Sequence, residues 1–344
     1  MTARGEAPRR RSTLLPLVIG GAALFLLDFG RRSFRTARLF DPARHPVNGW
    51  EPRAYGIDPE AVEELWFETD DGAILHGWYC RTGKPIGSAV YFHGNSGNLT
   101  TTAPVIPHLL DSGLNVLMFD YRGFGRSSGR PSIGGVIRDG IAAARLHETL
   151  RPAGLPSVVY GFSMGGAVGA QVLLRHSFDG VIFQSTFTTL SDIARATYPG
   201  TPFHLLSGGF LDTRRVVARL QLPALFLHGS DDEVCPSWMG KALHDLCTGE
   251  ARQMAIVHGG GHNDLFEREP ARLRSTIREF VSTITPHATP IEIPISTRNT
   301  LIARSLRWLR RLVRRRNALP RVVRSAAFEG TSSPPNSHDR SASD

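Results

Sequence analysis

Between about residue 60 and residue 285, short β-rich runs alternate with helical stretches, and this rhythm narrows the possible folds more than any other feature of the chain. SAVYF (88–92), NVLMFD (115–120), SVVYG (157–161), GVIFQ (180–184), ALFLH (224–228) and QMAIV (253–257) are continuous apolar runs bounded by Gly, Pro or Asp. Such runs suit strands buried on both faces. Helix-like segments fall between them at 98–110, 132–149, 164–176, 236–247 and 270–284. Strand and helix in alternation imply an α/β fold whose parallel sheet is covered on both faces. Ahead of this series, VEELWFET (62–69) and ILHGWYC (74–80) flank a turn at Asp70-Asp71-Gly72, which reads as an antiparallel hairpin at one edge. The expectation is a mostly parallel, eight-stranded sheet. One connection breaks the rhythm: residues 186–219 are too long for an ordinary loop and read as a small cap.

The 344 residues carry 40 basic and 31 acidic side chains, and their placement matters more than the net +9. Residues 1–44 hold nine arginines against three acids, and 291–344 hold eleven against four, so 45–290 is left with 20 basic and 24 acidic residues. A nucleic-acid enzyme carries its positive patch on the folded domain, whereas here the body is mildly acidic. Basic ends are expected to face a membrane surface or solvent, with no nucleic-acid partner. Three cysteines, Cys80, Cys235 and Cys247, are too few and too scattered for a disulfide framework or a zinc site.

The chain divides at 44 and 285. In 1–44, the apolar run LLPLVIGGAALFLL (14–27) would make a helix about 21 Å long, short of the roughly 30 Å hydrocarbon core. Extension to 12–29, with flanking arginines snorkelling, brings it near a spanning length. A signal anchor, a cleaved signal peptide and a buried or amphipathic helix all remain open. The anchor is preferred because no small-x-small cleavage site follows the run. A single-pass, membrane-associated protein is therefore expected. Residues 45–285 form the α/β domain. Past 286, a Pro-interrupted linker leads to LIARSLRWLRRLVRRR (301–316), which as a helix aligns Ile302, Leu306, Leu309 and Val313 on one stripe with arginine over the rest. The Ser/Pro-rich 318–344 reads as a disordered tail.

Chemistry concentrates in a few loops. Gly161-Phe162-Ser163-Met164-Gly165 is a G-x-S-x-G motif with SVVY before it and GAVGAQVLLR following its next glycine, hence strand, sharp turn, helix. That setting holds a serine hydroxyl exposed above the sheet, with glycines where a side chain would strike the neighbouring strand and helix. Gly125-Arg126-Ser127-Ser128-Gly129 fits the same pattern but sits in a loop, so Ser127 is expected to be structural. A nucleophilic serine needs a base, and the base needs an acid to fix its tautomer. His228-Gly229-Ser230-Asp231-Asp232-Glu233 follows one strand and His258-Gly259-Gly260-Gly261-His262 follows the next. Asp232 is the preferred acid, with Asp231 second, and His262 is the base. Glu233 reads as a helix cap and His258 as structural. Backbone donors for an oxyanion are expected at Met164 and in His93-Gly94-Asn95-Ser96, from Asn95 or, failing that, Ser96. His93 reads as a residue packing that loop.

Taken together, HGNSGN, FDYRGFGRS, GFSMGG, QSTFTTL, HGSDDEV and GGGHND resemble, in order, the motifs of the α/β-hydrolase superfamily across about 60–285. More narrowly, the set is similar to the serine-aminopeptidase-like, or hydrolase-4, type and its membrane-anchored branch of acyl lipases and protein depalmitoylases. The resemblance implies the α/β-hydrolase fold, with Ser163 as nucleophile, Asp232 as acid and His262 as base, and no metal or cofactor. It also implies an ester or thioester substrate of acyl-lipid or acyl-protein type. Serine in place of aspartate at the turn argues against epoxide-hydrolase and dehalogenase chemistry. Two departures stand out: Cys235 precedes Pro236 where the family has valine, and no cysteine precedes Cys80, unlike the N-terminally acylated depalmitoylases. An amidase or aminopeptidase on the same residues, or a membrane-tethered binding module with an idle triad, are the alternatives.

Overall fold

A computed structural model describes residues 39–201, 209–249, 251–286 and, for the backbone alone, 322–324. The segments 12–29 and 301–316 lie outside the described residues, as does Phe203 of the expected cap. Among the described residues, no helix is long and apolar enough to cross a membrane.

Eight strands match the runs read from sequence: β1 Val62–Glu68, β2 Ile74–Cys80, β3 Gly87–Phe92, β4 Leu114–Phe119, β5 Ser157–Phe162, β6 Gly180–Gln184, β7 Ala224–Gly229 and β8 Arg252–Val257. The sheet contains a ninth, β9 Val322–Arg324. Its order is β8-β7-β6-β5-β3-β4-β2-β1-β9. From β8 to β4 neighbouring strands are parallel, while β2, β1 and β9 are added antiparallel. The ninth strand raises the expected count of eight by one, and it lies within 318–344. Val322 pairs with Phe67 and Arg324 with Leu65, so the outer edge of the hairpin is covered by backbone partners. Three residues are too short a run to register as a period-2 pattern.

Burial on both faces follows strand alternation. Val90 and Phe92 of β3, with Leu117 and Phe119 of β4, point into one apolar layer. Ala89, Tyr91, Val116 and Met118 point into the other. Helices cover both layers, notably α1 Ile133–Leu150, α2 Met164–Leu173, α3 Trp238–Leu246 and α4 Pro270–Ser282. The expected helix over 98–110 is broken into Leu99–Thr102, a 3-10 turn at Ala103–Val105, and Ile106–Asp111. Pro104 and Pro107 account for the breaks, since neither can donate a helical backbone hydrogen bond.

Within 186–219, helices span Leu190–Thr197 and Thr213–Val217. Phe187 is buried, whereas Tyr198 and Phe210 are exposed. The folded body also reaches back past residue 45. Phe40 is buried, Asp41–Pro42 pairs in parallel with Ser96–Gly97, and Arg44 donates to the carbonyls of Ser127 (2.5 Å) and Gly129 (3.2 Å). Charge alone assigned these residues to the basic N-terminus.

Candidate active site

All of the expected site residues lie just past the C-terminal ends of parallel strands: Asn95 after β3, Ser163 and Met164 after β5, Asp232 after β7 and His262 after β8. Side chains collect there because every parallel strand hands its chain to a loop at the same edge.

Ser163 occupies a turn that few side-chain-bearing residues adopt, with φ 54° and ψ −120° at the N-terminus of α2. Its N–H donates to Gln184 O at 2.9 Å, which ties the turn to the neighbouring strand β6. The motif glycines are there for space. A Cβ on Gly161 would collide with the backbone of Gly166, and one on Gly165 with the carbonyl oxygens of Phe92 and His93. Backbone strain at one serine, enclosed by close backbone contacts, is the sort of feature that persists where the surroundings enforce it.

The loops after β7 and β8 interlock at glycines as well. A Cβ on Gly229 would meet the carbonyls of Gly260 and Gly261. Asp231 N–H donates to Gly260 O at 2.9 Å, and Gly259 N–H donates to Ser230 Oγ at 2.8 Å. This seam brings His262 over Asp232. His262 Nδ1 lies 2.8 and 3.0 Å from the two Asp232 oxygens, and its Nε2 lies 3.0 Å from Ser163 Oγ.

The charge on Asp232 selects the tautomer that a neutral His262 adopts. Burial works against charge on Asp232, yet hydrogen bonds from His228 and His262 and the Cys235 N–H outweigh it and hold the carboxyl well below the usual carboxylate range. Its Oδ1 accepts the N–H groups of Val234 (3.0 Å) and Cys235 (2.7 Å). An ionised carboxylate can only accept, so in the neutral imidazole the His262 hydrogen sits on Nδ1 and Nε2 presents a lone pair to the Ser163 hydroxyl. That arrangement can withdraw a proton from Oγ. Asp231 is exposed and accepts from Ser230 Oγ at 2.6 Å, with no contact to His262.

Asn95 is held from two sides. Its side chain donates to Leu39 O at 3.0 Å and its carbonyl accepts from Asp41 N–H at 2.9 Å. Among the described residues, neither the backbone N–H of Asn95 nor that of Met164 donates to another protein group. Both remain available to a ligand oxygen, and Ser96 instead joins the short pairing with Asp41–Pro42.

The second G-x-S-x-G motif behaves differently. Ser127 is fully buried, donates to Asp120 O at 2.7 Å and accepts from His76 N–H at 2.9 Å. Its hydroxyl is spent on structure. Ser127→Ala is expected to lower stability by about 1–3 kcal/mol, because it strands a buried N–H; urea unfolding at constant slope measures the loss.

Three participants were not singled out from sequence. His228, buried behind the acid, donates from Nε2 to Cys235 O at 2.7 Å and lies 3.4 Å from Asp232 Oδ2. Its signal was a histidine closing a strand four residues before the acid. Leu39 and Asp41, which clamp Asn95, had no local signal. His93 packs tilted against Tyr121 and edge-on against Phe124, at 4.4 and 5.2 Å between centroids, and its Nδ1–H donates to Gly94 O at 2.8 Å, as expected of a loop-packing residue. Among the described residues, no group of three or more His, Cys, Asp or Glu is arranged to hold a metal ion.

Comparison with known proteins bears on the fold and the family. The family model described as the alpha/beta hydrolase fold matches residues 90–203. The uncharacterized protein YfhR of Escherichia coli K12 is 32% identical over 243 residues, covering 67% of this chain and 84% of YfhR. The alpha/beta hydrolase domain-containing protein WAV2 of Arabidopsis thaliana is 31% identical over 280 residues, covering 72% of this chain and 85% of WAV2. Among solved structures, the Pyrococcus furiosus esterase Pf2001 superposes with a TM-score of 0.60 over 72% of this chain and 98% of its own, at 20% identity. Strand order, an elbow-like turn at Ser163 and relatives of this similarity agree: the chain belongs to the α/β-hydrolase superfamily.

Proposed function

We propose that the protein is a serine hydrolase that cleaves a carboxylic ester or thioester through an acyl-enzyme. The observation that carries this reading is the unbroken chain from Ser163 Oγ through His262 to Asp232, at 3.0 and 2.8 Å, with the serine in a strained turn. Ser163 Oγ attacks the substrate carbonyl carbon as His262 Nε2 takes its proton. The negative charge on the carbonyl oxygen is met by the amides of Asn95 and Met164. Collapse of the adduct expels the alcohol or thiol, which receives the proton from His262. Water then attacks the acyl–Ser163 ester, His262 again taking a proton, and the carboxylic acid and free Ser163 are released. Asp232 keeps its negative charge throughout and stabilises the His262 imidazolium. No step calls for a metal or organic cofactor. The likeness to an esterase fold agrees with this choice of substrate class.

The test is turnover of p-nitrophenyl esters of rising acyl length. A serine esterase hydrolyses at least the short members, and the length of best kcat/KM reports the acyl group that the cap region accommodates. Failure on every ester, with turnover of an aminoacyl p-nitroanilide, would transfer the residues to an amidase.

The membrane-anchored branch of the family is part of the proposal, and it rests on sequence. The run 12–29 is marginal as an anchor, and 301–316 carries seven arginines beside an apolar stripe. Near an anionic leaflet each arginine contributes about 1 kcal/mol. Protein lacking 1–38 is expected to sediment with anionic vesicles at low salt, and removal of 297–321 as well is expected to release it. If the singly truncated protein stays in the supernatant, the basic segment is a solvated appendage.

A further inference from the structure

Six buried side-chain polar atoms among the described residues have no hydrogen-bond partner, and three of them converge: His76 Nδ1, His93 Nε2 and Asp120 Oδ2. They lie behind the loop that carries Asn95. Asp120, fully buried at the end of β4, accepts the Leu99 N–H on Oδ1 at 2.6 Å. The same oxygen lies 3.9 Å from His93 Nε2, and Oδ2 lies 3.5 Å from His76 Nδ1. Gly125, at φ 44°, presses its backbone so close to Oδ2 that a Cβ would collide with it. Asp120 thus touches both sides of the 93–99 loop, and its second oxygen has only His76 to answer its charge.

The surroundings of His76 supply that charge. Its Nε2 lies 2.8 Å from Glu64 Oε1, which also pairs with Arg126 at 2.5 Å. Trp50 and Trp66 flank the ring at 5.3 and 4.9 Å, with the Arg126 guanidinium over Trp50 at 4.5 Å. The side chain of Ser127 and the backbone of Asp120 bond only the main chain of His76. Facing the imidazole are therefore two carboxylates, two indoles and one guanidinium already engaged by Glu64. His93 cannot serve in its place: burial pushes its basicity down, and its one N–H, on Nδ1, donates to Gly94 O.

We infer that His76 is a positioning residue for the reaction: bridging Glu64 and Asp120, it fixes the Asp120 carboxylate and, through it, the loop that presents the Asn95 amide. The inference rests on the reading of Asn95 as an oxyanion donor. Burial opposes charge on His76, but its contacts with Asp120 and Glu64 prevail and hold its pKa above the ordinary imidazole value. With the pKa raised, the charged bridge is present below that value and is lost as pH rises through it. Once His76 is neutral, with its remaining N–H on Nε2 donated to Glu64, Asp120 faces the lone pairs of His76 Nδ1 and His93 Nε2. The buried carboxylate then has reason to shift, and the 93–99 loop moves with it.

The experiment is the pH dependence of kcat and KM for a p-nitrophenyl ester, in the full chain and in Glu64→Gln and His76→Gln. Glu64 lies in β1 and touches none of the reacting groups: its partners are His76 and Arg126. The full chain should lose kcat on the alkaline side. Glu64→Gln should bring that loss to lower pH by about 1–2 units, the effect of removing a nearby opposite charge, with KM within about two-fold. His76→Gln should lower kcat about ten-fold, less than full loss of an oxyanion donor, and abolish the alkaline step. If His76→Gln does not fold, the Glu64→Gln profile decides alone. An alkaline limb that superimposes in full chain and Glu64→Gln, or no alkaline limb at all, overturns the inference. If the full chain neither turns over esters nor reacts with a fluorophosphonate, it is the Ser163 reading that has failed, and the inference falls with it.

Discussion

Ser163→Ala is expected to leave a folded protein whose ester turnover has dropped by about 10⁴–10⁶-fold, the scale seen when a triad nucleophile is removed. The loss is large because the remaining groups have nothing to activate: His262 Nε2 points at an absent oxygen, and any residual rate comes from water and the two free amides. KM should change little, since the hydroxyl contributes little to ground-state binding. Stability should hold or rise, because alanine removes a hydroxyl from a strained turn without creating a cavity. Ser127→Ala supplies the internal control, with turnover within a few-fold of the full chain despite its stability cost. Steady-state kinetics on both variants, with thermal melts to confirm folding, check the pair. Activity lost with Ser127 and kept without Ser163 would exchange the two motifs.

The second large effect separates adjacent carboxylates. Asp232→Asn should cost about 10⁴-fold in kcat, because an amide NH₂ turned toward His262 Nδ1 favours the tautomer whose hydrogen sits on Nε2. That hydrogen would then face Ser163 Oγ in place of the lone pair that must take its proton. Asp231→Asn should stay within a few-fold, since Asp231 is exposed and its carboxylate partner is Ser230 rather than His262. The asymmetry is readable from kcat in the two variants. Equal losses would mean that the two share the role, and reversed losses would move the acid to Asp231.

Much of this arrangement is legible in the sequence because it is local. The turn at Ser163 is announced by four β-rich residues before it, a helix former series after it and glycines at the positions where backbones touch. His262 is announced by its glycine run, and the choice of Asp232 over Asp231 agrees with which carboxylate faces the imidazole. What escaped is non-local. No pattern near Asn95 says that Leu39 and Asp41 will hold it, nor does FDYRG say that Asp120 will reach back to Leu99 and out to His76. Such contacts join residues 21 to 56 positions apart, and only the closed sheet brings them together. Val322–Arg324 escaped for a related reason, since an edge strand of three residues is defined by its partner rather than by its own periodicity.

The central claim is that Ser163 is chemically activated by His262 and Asp232, and reaction with a fluorophosphonate tests it without any knowledge of the natural substrate. Phosphonylation needs a serine oxygen from which a base can take the proton, and a proteolytic digest of the labelled protein locates the adduct. The account predicts stoichiometric label on the peptide containing Ser163, none in Ser163→Ala, and labelling slowed by orders of magnitude in Asp232→Asn. Absence of label on folded protein, or label retained on another serine in Ser163→Ala, would contradict it.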